Sequence, residues 1–400
     1  VTEDEILGQV ALGYSAFIDR NRSVTATRLT VFPLRPDVPL DVSQLLNAVA
    51  SVWPAEGGRV SLNITSESLL HDLLNSTPTQ NLMIEVPAFM AVDPANSAAL
   101  VALHAHGTVL LIKGRPLQEL PREVLPCFKY SIIDLADDRR NGAAAPAGMT
   151  RPIEYVMSGI RTPADMEEAF TRRAVAVLGW PVGDEVEQRP KGAKPVPAPI
   201  DLQTVVELIR QVDAEESPEK LEATLKRDPS LGFKVLRYIN SAAFGLTVEV
   251  SSFRHALMLL GYKRLKRWLA LLLATASKEP NLRAAMFASV RRGLLMEELA
   301  RNSGDAEMRD ELFICGIFSL LDRLFQQPLS ELLATIPVPQ RVHETLVDGT
   351  GPYVPYYNLV KAIEAESLYD FRESADALMM SVREINQAEL RALASAAHLD

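Results

Sequence analysis

Residues 227 to 245 read Arg227-Asp228-Pro229-Ser230-Leu231-Gly232-Phe233-Lys234-Val235-Leu236-Arg237-Tyr238-Ile239-Asn240-Ser241-Ala242-Ala243-Phe244-Gly245. Leu231, Val235, Leu236 and Ile239 recur at three- and four-residue steps, so one face of a helix is apolar while Lys234 and Arg237 lie off it. Asp228 is placed to cap the start, Pro229 fits the first turn, and Asn240-Ser241 with Gly245 can close the end. The spacing predicts a packed amphipathic helix over 230–240. Further helical patterns follow almost without interruption, at 202–212, 218–226, 253–260, 262–276, 282–302, 308–325, 328–334, 339–347, 354–365 and 382–397. No repeat of solenoid period is present, which excludes a stacked array.

Upstream the pattern is different. Short β-rich runs at 14–18, 24–32, 59–64, 82–86, 109–112 and 130–134 alternate with helical candidates at 42–52, 66–74 and 96–105. A helix over 166–177 and a terminal strand over 178–181 complete the series. Alternation of this kind predicts parallel βα units. Between the halves, Gln188-Arg189-Pro190-Lys191-Gly192-Ala193-Lys194-Pro195-Val196-Pro197-Ala198-Pro199 is rich in proline and poor in packing groups, and reads as a linker. The expected organisation is α+β in two domains, 1–187 and 201–400, joined by 188–200.

Composition agrees. Four hundred residues exceed what one core normally serves, and 48% hydrophobic content fills two. No run approaches the roughly 20 apolar residues of a membrane span, and Val1-Thr2-Glu3-Asp4-Glu5 resembles no secretory leader, so the expectation is a cytoplasmic protein. A net charge of −10 argues against a general nucleic-acid binder. Cys127 and Cys315 sit in apolar surroundings and are read as inert core thiols, which leaves neither a disulfide framework nor a cysteine zinc site. The six histidines form no ligand constellation. His71-Asp72 reads as a solvated pair on a helix end, and His255 as a helix-boundary residue. The basic run 262–268 reads as the solvated side of a helix whose Tyr262, Leu265, Trp268 and Leu269 face inward.

Three motifs in order, Asp228-Pro229-Ser230-Leu231, Tyr238-Ile239-Asn240-Ser241-Ala242-Ala243-Phe244-Gly245 and Ser252-Phe253-Arg254-His255-Ala256-Leu257-Met258-Leu259-Leu260-Gly261, resemble the HDOD family, helical relatives of the HD phosphohydrolases that have lost the metal ligands. The resemblance spans about 201–400 and rests on Asp228, Pro229, Asn240, Ser241 and Gly261. The segment similar to the metal-binding helix of true HD enzymes reads Cys315-Gly316-Ile317-Phe318-Ser319-Leu320-Leu321-Asp322, with serine and leucine where histidine and aspartate would bind metal.

The N-terminal half resembles an EAL domain, the (β/α) barrel that hydrolyses cyclic diguanylate. The likeness rests on Phe17-Ile18-Asp19-Arg20-Asn21, Ser61-Leu62-Asn63-Ile64-Thr65, Leu82-Met83-Ile84-Glu85-Val86 and Ser131-Ile132-Ile133-Asp134. By that resemblance Asn63, Glu85 and Glu154 stand at family positions that hold divalent metal. The other positions are substituted: Ser15 for a substrate-contacting glutamine, Arg28 for the signature glutamate, Lys113 and Gly114 for paired aspartates, Ile132 for a lysine, Met157 for a glutamate and Leu178 for a glutamine.

Loss of carboxylates and gain of cations turns a field that attracts a divalent ion into one that repels it. The expectation is therefore that Arg28 or Lys113 pairs with Glu85, that no metal or cofactor is used, and that the chain acts as a catalytically inactive signalling scaffold through protein partners. A homodimer is compatible with the resemblance. Two alternatives stay open: a non-catalytic cyclic-dinucleotide receptor using Arg28, Lys113 and Arg115, and a residual phosphodiesterase.

Overall fold

Two long strands joined by a turn too short for a crossover set the topology of the N-terminal half. β1 (Val10–Asp19) and β2 (Val24–Pro33) are separated by residues 20–23. The Asp19 carboxylate accepts from the backbone N–H groups of Asn21 and Ser23, both at 2.9 Å, and Arg22 takes a left-handed φ of 63°. A connection this short can only return the chain antiparallel. The expectation of parallel units throughout is corrected here, because parallel pairing needs a dozen or more residues between strands.

β3 (Arg59–Ile64), β4 (Leu82–Pro87), β5 (Val109–Lys113), β6 (Phe128–Asp134), β7 (Glu154–Ile160) and β8 (Ala176–Gly179) then add in parallel. β8 closes antiparallel onto β1, and the result is a closed eight-stranded barrel. The computed structural model describes residues 5–35, 37–53, 58–138, 153–183, 200–227, 250, 252–275 and 279–397. The expected linker and the motif residues Asp228, Pro229, Asn240 and Ser241 lie outside the described residues.

Helices α1 (Val42–Val52), α2 (Glu67–Leu74), α3 (Ala88–Val92), α4 (Ser97–Ala105) and α5 (Pro163–Thr171) connect the strands. Their starts are written locally: Asp41 accepts from Ser43 N–H, Ser66 from Leu69 N–H, and Thr162 with Asp165 forms a capping box. The helix expected over 166–177 is in fact α5 followed by β8. Arg173 at φ 67° ends the helix before the strand begins.

Strand alternation sorts the barrel residues into two sets. Leu29, Val31, Leu62, Ile64, Ile84, Val86, Leu110 and Ile112 are at most 2% exposed and form one set. Phe17, Ala26, Met83, Leu111, Ile132, Val156 and Leu178 form the other, a single apolar cluster that makes the floor of the barrel interior. Two residues further along β2, β4 and β5, interior positions become polar: Arg28 after Ala26, Glu85 after Met83, Lys113 after Leu111. That switch creates the candidate site.

The C-terminal region is helical: α6 (Ile200–Asp213), α7 (Pro218–Leu225), α8 (Phe253–Thr275), α9 (Arg283–Leu299), α10 (Ala306–Phe318), α11 (Leu321–Phe325), α12 (Leu329–Leu333), α13 (Gln340–His343), α14 (Val354–Glu364), α15 (Leu368–Leu378) and α16 (Val382–Ala397). Gly261 breaks α8 with φ 73° and ψ 169°, at the boundary expected between 253–260 and 262–276. The pattern at 308–325 is two helices, because Ser319 and Leu320 interrupt it and the Ser319 hydroxyl turns back to Gly316 O at 2.7 Å. At Gly316 a Cβ would lie 2.5 Å from the backbone of Arg292 and Gly293, so α9 and α10 cross at a distance only glycine allows.

Two compact units emerge, and one expectation needs amendment. Residues 184–357 and 392–400 form one unit, but Asn358–Arg391 packs with residues 1–183. No helix among the described residues is long and apolar enough to cross a membrane.

Candidate functional site

The polar interior of the barrel is organised around Glu85 on β4. Its side chain is fully buried and its two oxygens are both engaged: Arg28 Nη2 donates to Oε2 at 2.7 Å and Ser61 Oγ to Oε1 at 3.1 Å. On the neighbouring strands Asn63 Nδ2 donates to Thr30 Oγ1 at 3.1 Å, and Lys113 Nζ donates to Asn63 Oδ1 at 2.6 Å. Arg28 and Thr30 share a face of β2, and Ser61 and Asn63 share a face of β3, through the two-residue strand period. The expected pairing of Arg28 with Glu85 is present.

A residue far along the chain completes the cluster. Glu366 lies in the turn between α14 and α15 and accepts from Thr30 Oγ1 at 2.8 Å, Ser15 Oγ at 3.2 Å and Arg28 Nη1 at 3.3 Å. It adopts φ 53°, the left-handed conformation that closes a helix end and that usually falls to glycine. Holding a side chain there costs on the order of 1 kcal/mol, which the contacts of its carboxylate offset. Gly13 makes the approach feasible, since a Cβ on it would lie 3.1 Å from Ile363 O and 3.3 Å from Glu366 Cα. Further along, Asn386 on α16 fastens the segment to β1: its Nδ2 donates to Leu7 O and Val10 O, each at 2.7 Å, and its Oδ1 accepts from Leu12 N–H at 3.2 Å. We call Asn358–Arg391 the strap.

The electrostatics follow from burial. Burial opposes the Arg28 charge, but the Glu85 and Glu366 carboxylates outweigh it and raise the guanidinium above its ordinary value. Burial pulls the Lys113 ammonium below its ordinary value, assisted by Arg28 and opposed by Glu85 and Glu366. The surviving oxygen donors of Glu85 and Asn63 are committed to Ser61, Arg28 and Lys113. Two unit charges about 4 Å apart at an effective dielectric near 20 interact by roughly 4 kcal/mol, and a divalent ion doubles that repulsion from each cation. These residues do not fit a divalent metal ion.

The remaining sequence-predicted positions divide. Ser15 joins the cluster through Glu366, and Gly114 follows Lys113 at φ 85°. Ile132 and Leu178 belong to the apolar floor. Met157 is buried but adjoins the interior residue Val156 on β7, so alternation turns it to the other face. Glu154 starts β7, is exposed, and is not brought to the cluster at the strand C-terminal ends. Arg115 is also exposed. Thr30, Ser61 and Glu366 are cluster members that sequence reasoning missed. The polar residues spaced by two in apolar strands, Arg28 with Thr30 and Ser61 with Asn63, were a usable signal for the first two; Glu366 has none.

In the helical unit the segment 315–322 is a structural junction. Arg292 Nη1 donates to Ser319 Oγ at 3.1 Å, and the buried Asp322 pairs with Arg323. Cys315 is fully buried, which raises its thiol far above the ordinary value, and Cys127 is buried too. In the basic run Lys266 pairs with Asp213 and Arg267 with Glu297, while Lys263 and Arg264 are exposed. His71 and Asp72 are both exposed, 4.0 Å apart.

Residues 198–331 match the HDOD domain family. The chain carries an HDOD domain. The match covers Gly261 and the 315–322 junction, while the strap lies beyond the HDOD domain in sequence. Over 328 residues the chain is 27% identical to the uncharacterized protein YuxH of Bacillus subtilis (strain 168), covering 78% of each. Over 162 residues it is 28% identical to the cyclic di-GMP phosphodiesterase CdgJ of Vibrio cholerae serotype O1, covering 40% of this chain and 37% of CdgJ. Among solved structures, the PaMucR phosphodiesterase in its c-di-GMP complex aligns at 17% identity and a TM-score of 0.35, over 44% of this chain and 96% of that one. A likeness that slight places no residue.

Proposed function

We propose that this chain is a non-catalytic component of cyclic di-GMP signalling, acting as a scaffold that presents an HDOD domain and a barrel to protein partners. The signalling context is suggested by the 28% identity to a cyclic di-GMP phosphodiesterase. One observation carries the loss of catalysis: the Arg28 guanidinium lies 2.7 Å from the one buried carboxylate of the cluster that belongs to the barrel strands. A hydrolytic barrel of this kind would need carboxylates free to hold a metal and activate water, whereas here the carboxylate neutralises an arginine. The other cluster carboxylate, Glu366, is held by the same arginine and two hydroxyls.

The test is turnover of cyclic di-GMP by the purified full-length chain with Mg²⁺ or Mn²⁺. The expected result is no hydrolysis above that of the chain carrying Glu85→Ala. Metal-dependent turnover that a chelator stops and that Glu85→Ala abolishes would overturn the reading. The receptor alternative is favoured by the concentration of Arg28 and Lys113 in one mouth, but those donors already serve Glu85, Glu366 and Asn63. Calorimetry with cyclic di-GMP separates the two: heat that disappears in Arg28→Met supports a receptor, and no heat supports the scaffold. In vivo crosslinking of the tagged full chain then asks for the protein partner.

A further inference from the structure

One turn along α16 from Asn386, Glu389 is fully buried, and neither of its carboxyl oxygens meets a hydrogen-bond donor among the described residues. It faces the field of Glu366, so two acids of the strap act on each other, one half-buried and held by Arg28, Thr30 and Ser15, the other fully buried with no donor among the described residues. A buried carboxylate with no partner is among the costliest groups a fold can contain, and the inexpensive solution is to keep it protonated. Three further features show where the strap is fastened and where it is strained. Glu366 sits in a left-handed conformation, Gly13 admits its backbone at close range, and Asn386 fastens α16 to three backbone groups at the start of β1.

We propose that the strap is a proton-dependent latch: it docks on the barrel with Glu389 as the neutral acid, and release gives that proton to water. Docking takes up one proton and undocking returns it, so the balance closes without another reactant. Release also withdraws Glu366 from Arg28, Ser15 and Thr30 and uncovers those donors.

The charged groups around Glu389 leave it as the titrating member. Glu366, from the α14–α15 turn, is the one whose field acts on it, and it acts to keep the proton on. Arg28 and Lys113, from β2 and β5, are directed at Glu85, Glu366 and Asn63. On α16 itself Glu384 is engaged with Ser381, and Arg383 lies against Gly8. On α15 Asp370 is bonded to Ser367 and Arg372 to Leu34 O.

Desolvation first and Glu366 second push the Glu389 carboxyl from an ordinary value of 4.5 up to about 8. A raised acid binds its proton in the docked state and loses it when released, so docking is strongest below the ordinary value and weakens by about tenfold per pH unit toward 8. Between pH 6 and pH 8 the docking constant falls roughly fifty-fold.

Hydrogen exchange of the full chain at pH 6, 7 and 8, corrected for the intrinsic exchange rate, reads this directly. Peptides from 8–14 and 358–391 are expected to open about fifty-fold more at pH 8 than at pH 6, while β3 to β5 peptides stay level. Glu389→Gln, uncharged at every pH, is expected to flatten the profile. A level profile in the unsubstituted chain, an undiminished slope in Glu389→Gln, or the same slope in every peptide would each overturn the latch. An independent reading needs no variant: infrared spectra of the unsubstituted chain are expected to contain the carbonyl stretch of a neutral carboxylic acid at pH 7 that vanishes by pH 9, and its absence at pH 7 refutes the proposal.

Discussion

Replacing Arg28 by methionine tests the centre of the barrel cluster. The substitution keeps an unbranched apolar stem and removes the charged guanidinium, which leaves Glu85 fully buried with Ser61 as its hydrogen-bond donor and takes from Glu366 its ion-pair partner among the described residues. Deleting one member of a buried pair typically costs about 3–5 kcal/mol, because the survivor stays desolvated without its counter-charge. For a unit of about 200 residues that corresponds to a fall of roughly 6–20 °C in the unfolding midpoint. The sign with pH is distinctive. In the native chain Arg28 is raised above its ordinary value and stays charged through the accessible range, so its charge adds no slope there. In Arg28→Met the orphaned Glu85 is expected to hold a proton in the folded barrel and to lose it on unfolding. The variant should therefore be least impaired near pH 4–5 and progressively worse as pH rises toward neutrality. Urea unfolding followed by hydrogen exchange of β3 and β4 peptides isolates the barrel from the helical unit. Arg28→Met with Glu85→Gln should recover most of the loss. A penalty below about 1 kcal/mol at pH 7, the range of solvent-screened surface pairs, would refute the claim that this ion pair organises the interior.

Other outcomes follow from the same contacts. Gly13→Ala places a methyl group 3.1 Å from Ile363 O, and an overpacking cost of about 1–3 kcal/mol should appear as faster exchange in 358–391 with little change in β4. Asn386→Ala strands Leu12 N–H, Leu7 O and Val10 O, at about 1–3 kcal/mol for each group that stays buried; limited proteolysis should cut within the strap, and an unchanged digest would count against its anchoring role. Cys127 and Cys315 should resist thiol reagents in the folded chain at pH 8, where burial keeps both thiols protonated, and should react on addition of denaturant; rapid labelling without denaturant would contradict their burial.

Part of the barrel was legible because its signals are local. The β-rich runs at 59–64 and 82–86 coincide with β3 and β4 to within a residue, since two-residue alternation and flanking turns act over short range. The hairpin of β1 and β2 was misread as a parallel unit although its four-residue gap already excluded a crossover. The run at 166–177 was read as one helix because apolar spacing does not reveal a left-handed residue such as Arg173. Arg28 beside Glu85 could be anticipated, because the family resemblance put both residues at positions of one metal site. Glu154 was misplaced because residue spacing along β7 does not say which end of the strand it occupies.

Residue order alone was enough to place most of the strands and helices, and the resemblance it carries showed Arg28 and Lys113 where the family has acids. Both follow from periodicity, motif and charge, which a chain carries whatever surrounds it. Tertiary structure alone decided what fills the barrel mouth. Glu366 and Asn386 stand more than three hundred residues from the strands they bind, and Glu389 is fully buried in the unit that the strap forms with the barrel. A contact of that range leaves no periodic trace, because its energy depends on surfaces that come together only in the folded chain.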